Sequence, residues 1–486
     1  MDSSATPAPP DISASAAASG APHLHKGLGL WDCASLIMGS MIGSGIFLVP
    51  ATMAQELPGG AGLLLLAWGL VAVLTICGAL TYGELAAMLP KAGGQYVYLR
   101  EAWGRLTGFL YGWTLFAVIQ TGTIAAVAVA FARYLGVFVP AVSGEALVKV
   151  GSVGVSAQQL VAIGLIGALT AFNFRDVREG ALVQNVFTAV KVAALLAVVA
   201  LGLWFGFSGK TPGTGAVNFA TTWPPFSWAT LGAFFTAMRG AAFAADAWNN
   251  ITFTAGEVRN PQRNLPLALV LGTGVVLALY MLANVAYVAG LGMPGIAGAA
   301  EGRVGTELMA RLFGPVGSGL MAALILVSTF GCLNGIILTG ARVYYAMAQD
   351  GLFLRPAARL NHRGVPANSL TMQGLWAALL VLTGSYSDLL DYVMFAVLLF
   401  YLVTVIGLIR LRQLHPEWPR PYRVVGYPVV PIVYCLLAGG ICAALLVYKT
   451  TYAGAGLALV AVGAVVYYLT GLHRGGPAPL DTPPAE

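Results

Sequence analysis

Twelve stretches of mostly apolar residues follow one another along the 486-residue chain, and they leave room for few architectures. A helix needs about 20 such residues to cross the hydrocarbon of a bilayer. On that ruler the spans cover residues 31–49, 63–87, 106–135, 159–172, 181–205 and 228–253 in the first part of the chain. They continue at 267–291, 316–348, 370–384, 389–411, 429–448 and 453–472. Within hydrocarbon every backbone N–H and C=O must find an internal partner, which only helices and closed barrels provide. Barrel strands would appear as segments of about 10 residues with alternating polarity; these runs are longer and do not alternate. The expected fold is therefore an all-α integral membrane bundle of 12 transmembrane helices. Charged residues make up 9% of the chain, against roughly 25% in soluble domains, so a soluble reading fails. The first 26 residues are the only long polar, low-complexity stretch, which excludes a disordered or fibrous chain.

The remaining composition is explained by topology. Placing the amino terminus in the cytoplasm puts seventeen Lys and Arg residues inside and six outside, following the positive-inside rule. Both termini are then cytoplasmic, and the net charge of +6 needs no nucleic acid to account for it. Residues 1–26 lack an apolar core and lead directly into a full span, so no cleavable signal is expected. Cys33, Cys77, Cys332, Cys435 and Cys442 lie in or beside apolar runs without metal-ligand spacing, and read as packing residues. The histidines all fall outside the spans, so neither a metal site nor a cofactor is expected.

Two spans are interrupted. The first carries GSMIGSGIF at residues 39–47, three glycines and two serines in mid-helix; close helix packing is the alternative reading of such a stretch. The sixth carries FAADAWN at 243–249, with a carboxylate near the bilayer centre. Interruptions at corresponding positions five helices apart point to an inverted-repeat transporter with its site at the midplane. Freed N–H groups of Gly43, Ser44 and Gly45 at a half-helix N-terminus suit a carboxylate, while freed carbonyls around Met41, Phe243 and Ala244 suit an ammonium group. An amino acid offers both.

Four motifs in order, GSMIGSGIF, QNVFTAVK at 184–191, FAADAWNNITFTAGEVRNPQRNLP at 243–266 and STFGCLNG at 328–335, resemble the amino acid, polyamine and organocation superfamily. The WNN element is similar to that of its L-type amino acid transporters. The resemblance covers residues from about 26 to about 412. It implies a leucine-transporter-like 5+5 inverted repeat: a tail at 1–26, helices 1–5 in 27–208, helices 6–10 in 226–412, two further helices in 427–474 and a tail at 475–486. It also implies a substrate site made of Met41, Ile42, Gly43, Ser44, Gly45, Phe243, Ala244, Ala245, Asp246 and Asn249, with Phe243 as an outer gate. Lys191 would stand where sodium sits in sodium-coupled relatives, with Ser328 and Thr329 near it. Many relatives have an aromatic residue and a glycine where this chain has Ala245 and Ala247, which leaves substrate size open.

Charges inside the bilayer are functional candidates by default. Lys191 reads either as a tether between the helix 1 break and helix 8 or as a coupling group. Asp246 lies seven positions after Arg239, about two helical turns, so the two are expected to pair or to read substrate. Glu257 and Arg259 close the inner end of helix 6; Glu84 and Arg342 are further inner-gate or interface charges. No nucleophile with a base appears, so the chain is not read as an enzyme, nor does a selectivity loop suggest a channel. The expected function is sodium-independent transport of neutral L-amino acids across the cell membrane, with exchange favoured. Proton-coupled symport and a non-transporting sensor remain as alternatives. Residues 140–156, where some relatives attach a disulfide-linked single-span partner, contain no cysteine, so no covalent partner is expected; the oligomeric state stays open.

Overall fold

The computed structural model describes residues 24, 26–57, 59–150, 153–175, 177–208, 213–220, 223–383 and 386–474. Most of the expected tails, residues 1–23, 25 and 475–486, lies outside this set, as does Lys210.

The first apolar run forms two helices, α1 (Leu30–Met41) and α2 (Gly45–Glu56), bent by 41° at their break. The Asp32 carboxylate accepts the Gly29 amide at 2.8 Å and caps the start of α1. Next come α3 (Ala61–Met88), the short α4 (Gln95–Trp103), α5 (Arg105–Thr114) and α6 (Gln120–Leu135). A five-residue π-helical segment, Leu115–Ile119, joins α5 to α6 into one span. Then follow α7 (Ala157–Phe172), α8 (Val177–Phe207), α9 (Trp228–Ala244) and a 3-10 helix, Trp248–Glu257. The rest is α10 (Pro261–Ala297), α11 (Val304–Gln349), α12 (Ala367–Val381), α13 (Tyr386–Leu414), α14 (Val429–Tyr448) and α15 (Thr450–Leu469).

Among the described residues, seven helices are long and apolar enough to cross a membrane, and the bent pair makes an eighth. The chain is thus a multi-pass helical membrane protein, although the expectation of twelve spans exceeds what length and composition alone support. The difference has local causes. Ser156 caps α7 through a reciprocal bond with Gln159, fixing its start and leaving 16 residues. α9 stops at Ala244 because its span is broken, and α12 is 15 residues long. Among the described residues one element departs from the all-α expectation: Ala146–Val150 and Val153–Ser156 pair as antiparallel strands.

α10 packs along α3, α8 and α1, while α11 packs along α6 and α8, so α1 is enclosed by α8, α10 and α11. At the end of the bundle where the chain enters, the Gly27 and Leu28 amides donate to Glu257 O (2.9 and 3.0 Å) and the Arg259 amide donates to Leu28 O (2.9 Å). The entering segment is thereby zipped to the end of the 3-10 helix. Buried ion pairs reinforce this end. Arg342 holds both Glu257 oxygens (3.1 and 3.3 Å), and Arg412 holds both Glu84 oxygens (2.8 and 2.5 Å). Glu84 also accepts the Val424 amide at 2.7 Å, tying the segment after α13 to α3. At the opposite end Gln55 donates to Ala297 O at 2.7 Å and Arg133 reaches Glu301 at 3.1 Å.

Candidate functional site

The two broken helices meet at the centre. Gly45, the first residue of α2, lies so close to α9 that a Cβ added there would come within 2.9 Å of both Ala244 Cα and Ala244 Cβ. No side chain fits between the breaks, which is the physical need for glycine at this position. Across the other break, Ala247 sits at φ 69°, a left-handed conformation that costs a non-glycine residue roughly 1–2 kcal/mol. It turns the chain so that the 3-10 helix leaves in a new direction.

The break between α1 and α2 is held from three sides. Lys191 on α8, 2% exposed, donates from Nζ to Gly39 O (2.6 Å), Ile42 O (3.0 Å) and Ser328 O (3.1 Å). All three donors of its ammonium are used, which is how a charge is made tolerable this far from water. Ser328 Oγ donates to Ile42 O at 2.9 Å, and Tyr280 on α10 donates to Met41 O at 2.8 Å. Cys332 on α11 closes the third side, its thiol 3.0 Å from Ser40 O. The structure therefore brings Lys191 and Ser328 together at the break. The Thr329 hydroxyl instead bonds back to Ile325 O and Leu326 O of its own helix. Met41 O, expected among the ammonium acceptors, also receives the Gly43 amide at 2.9 Å, so both its lone pairs are occupied.

A cavity of about 360 Å³ of empty space opens between the breaks, walled by Gly43, Ser44, Gly45, Phe243, Ala244 and Asp246, with Cys332 and Thr123 opposite. Ile42, Ala245 and Asn249, also expected at the site, do not line it: Ile42 is buried in the break, and Ala245 and Asn249 face other cavities around Asp246. One of these, of about 350 Å³, shares Asp246, Ala247 and Thr123 with the first cavity and is lined by Gln95, Asn249 and Tyr401. Its far wall is the π-helical segment, where the Thr121 hydroxyl reaches back five residues to Phe116 O (2.6 Å) and Gln120 donates to Ile336 O (2.8 Å). A widened turn of this kind often marks a functional position in a helix.

Asp246 does not pair with Arg239 as the spacing suggested. Arg239 lies 3.1 Å from both oxygens of Glu56 at the end of α2, so it ties the two half-helices α2 and α9 together. The Asp246 carboxylate instead meets Tyr401 on α13, with Oδ1 2.7 Å from Oη. The reason is that α9 ends at Ala244, so the helical spacing that would bring Arg239 and Asp246 together does not reach Asp246. Glu257 is also placed at a distance from the cavity, in the buried pair with Arg342. Tyr280, Gln95 and Tyr401 were not singled out in the sequence, and Cys332 was read there only as a packing residue. For Tyr280, Cys332 and Tyr401 the available signal was polarity inside apolar spans, weak because tyrosine and cysteine are tolerated there; Gln95 lies between two spans and carried no such signal.

Residues 28–469 match the family described as amino acid permease. The chain is 30% identical over 457 residues to the human b(0,+)-type amino acid transporter 1, covering 93% of this chain and 88% of that protein. It is 31% identical over 453 residues to the mouse large neutral amino acids transporter small subunit 2, covering 92% and 81%. The human protein of the same name is also 31% identical, covering 92% and 80%.

Proposed function

The chain belongs to the amino acid permease family, and from that membership we propose that it carries neutral L-amino acids across the cell membrane without sodium, by alternating access and with exchange favoured. The observation that carries this reading is the pair of touching breaks, Gly45 against Ala244, beside a cavity lined by the N-terminus of α2 and the end of α9. In this reading the amides of Ser44 and Gly45 take the substrate carboxylate, with the positive end of α2 behind them, and the Gly43 amide joins them on leaving Met41 O. The carbonyls of Phe243 and Ala244 take the ammonium group, and the Phe243 ring covers the outer side.

Sodium independence is supported by Lys191, whose ammonium already sits among three carbonyls of α1, the break and α11. The termini are cytoplasmic in this reading, and the repeats are helices 1–5 and 6–10. The zip of Leu28 to Val258 and the Glu257–Arg342 pair then form the inner closure. Opening inward separates α1 from α8, so Lys191 must release carbonyls in one state and regain them in the other.

The test is uptake of labelled amino acids by proteoliposomes holding the purified protein alone, with and without internal amino acid and with and without a sodium gradient. Uptake that needs internal amino acid and ignores sodium is the expected result, and Lys191→Ala should abolish most of it while the amount of protein reconstituted falls little. Sodium-driven uptake into empty vesicles, or near-normal uptake by Lys191→Ala, would overturn the reading.

A further inference from the structure

A chain of side-chain hydrogen bonds leads away from the helix break, and its direction can be read from one end. Thr404 on α13 has one hydroxyl hydrogen, and it goes to Phe400 O at 2.7 Å. Thr404 Oγ1 therefore accepts at its other contact, 3.0 Å from Gln95 Nε2. Gln95 then presents its amide oxygen to Asn249 Nδ2 at 2.9 Å. Asn249 is left with Oδ1 facing Tyr401 Oη at 2.8 Å. An amide oxygen only accepts, so the single Tyr401 hydrogen is used on Asn249.

One contact remains, the 2.7 Å between Tyr401 Oη and Asp246 Oδ1. Two oxygens that close need a hydrogen between them, and Tyr401 has given its own. Resting on the site described above, we infer that Asp246 is a proton-binding site: in this conformation its carboxyl is protonated and donates to Tyr401, and loss of that proton reverses the hydrogen-bond chain through Tyr401, Asn249, Gln95 and Thr404. With Asp246 ionised, Tyr401 donates to the carboxylate, both amides turn over, and Thr404 gives up Phe400 O to donate to Gln95. The proton comes from water in the adjoining cavities and returns there; no other bond changes. The reversal runs from the α9 break through the 3-10 helix to α4 and α13, so it links the charge of the site to elements that flank it.

The surroundings offer Asp246 no compensating cation. Among the described residues no Lys, Arg or His stands within ion-pair distance of it. Tyrosines line its cavities from three elements, Tyr111 on α5, Tyr401 on α13 and Tyr434 on α14, and Tyr82 on α3 packs edge-on against Tyr401. Cys332 on α11 faces the cavity between the breaks. Lys191 is held by its three carbonyls, and Arg239 lies on Glu56. A neutral carboxyl donating to a phenol is well suited to such a wall.

The test needs no substrate. Infrared spectra of the full-length protein in a carbonyl-free detergent at about pH 7 should show the carbonyl stretch of a protonated carboxylic acid, a group whose ordinary counterpart is ionised at that pH. Asp246→Asn should lose that band, and Tyr401→Phe should keep it at higher frequency, because its hydrogen-bond acceptor is gone. Amino acid binding by the same samples is measured in parallel. A wild-type spectrum without the band, or a band unchanged in both variants, overturns the inference even where binding is intact. Loss of binding with the band in place overturns instead the substrate reading of the site.

Discussion

Ala247 holds a backbone conformation that glycine adopts freely, at the turn that starts the 3-10 helix. Ala247→Gly should relieve that strain, and after the extra chain entropy glycine loses on folding, it should still stabilise the protein by up to about 1 kcal/mol. Thermal unfolding in detergent reads this directly; a lower melting temperature would mean that the alanine methyl makes packing contacts worth more than the strain. Lys191, Arg239 and Asp246 show how the same residue scale looks from sequence. Their positions inside apolar spans marked all three as needing an explanation. Lys191 meets the helix 1 break and helix 8, as one of its two readings had it, but the partners of Arg239 and Asp246 were not legible, because Glu56 and Tyr401 lie more than 150 positions away from the residues they bind. Spacing along one helix suggested Arg239 with Asp246, and the end of α9 at Ala244 removed the helical geometry on which that suggestion rested.

At the scale of elements, the two breaks were legible because glycine and a carboxylate have no reason to interrupt an apolar helix unless backbone is to be exposed there. That the breaks touch each other is a tertiary fact, and it gives the sharpest mutational expectation. Gly45→Val places a branched side chain where even a Cβ would lie 2.9 Å from Ala244. α2 and α9 must then separate, so amino acid binding should fall by at least about tenfold, equivalent to about 1.4 kcal/mol. Equilibrium binding to the purified variant checks this, and unchanged affinity would show that the breaks tolerate separation and that the contact does not shape the site. The π-helical segment before α6 had no counterpart in the sequence reading: an extra residue in a helical turn leaves hydropathy unchanged, and only the contacts of Thr121 and Gln120 reveal it.

For the whole molecule, the end of the bundle sealed by Leu28, Glu257 and Arg342 is where burial and charge meet most tightly, since both members of that pair are 1% exposed. Arg342→Ala removes the guanidinium that holds both oxygens of buried Glu257 and should destabilise the protein by about 3–5 kcal/mol, with Glu257→Gln in the same chain restoring part of the loss. Unfolding midpoints of the single and double variants test it; equal stability of Arg342→Ala and wild type would mean that water already reaches the carboxylate. What the sequence determined by itself was the membrane class, the order of the apolar spans, the two interruptions and the family. These follow from local hydropathy and from short motifs that carry their meaning wherever the chain goes. The tertiary structure alone decided which three carbonyls Lys191 holds, that Arg239 joins α2 to α9, and that Asp246 answers to Tyr401. Such partners are chosen by packing between elements distant in the chain, where a shift of a few ångströms exchanges one hydrogen bond for another.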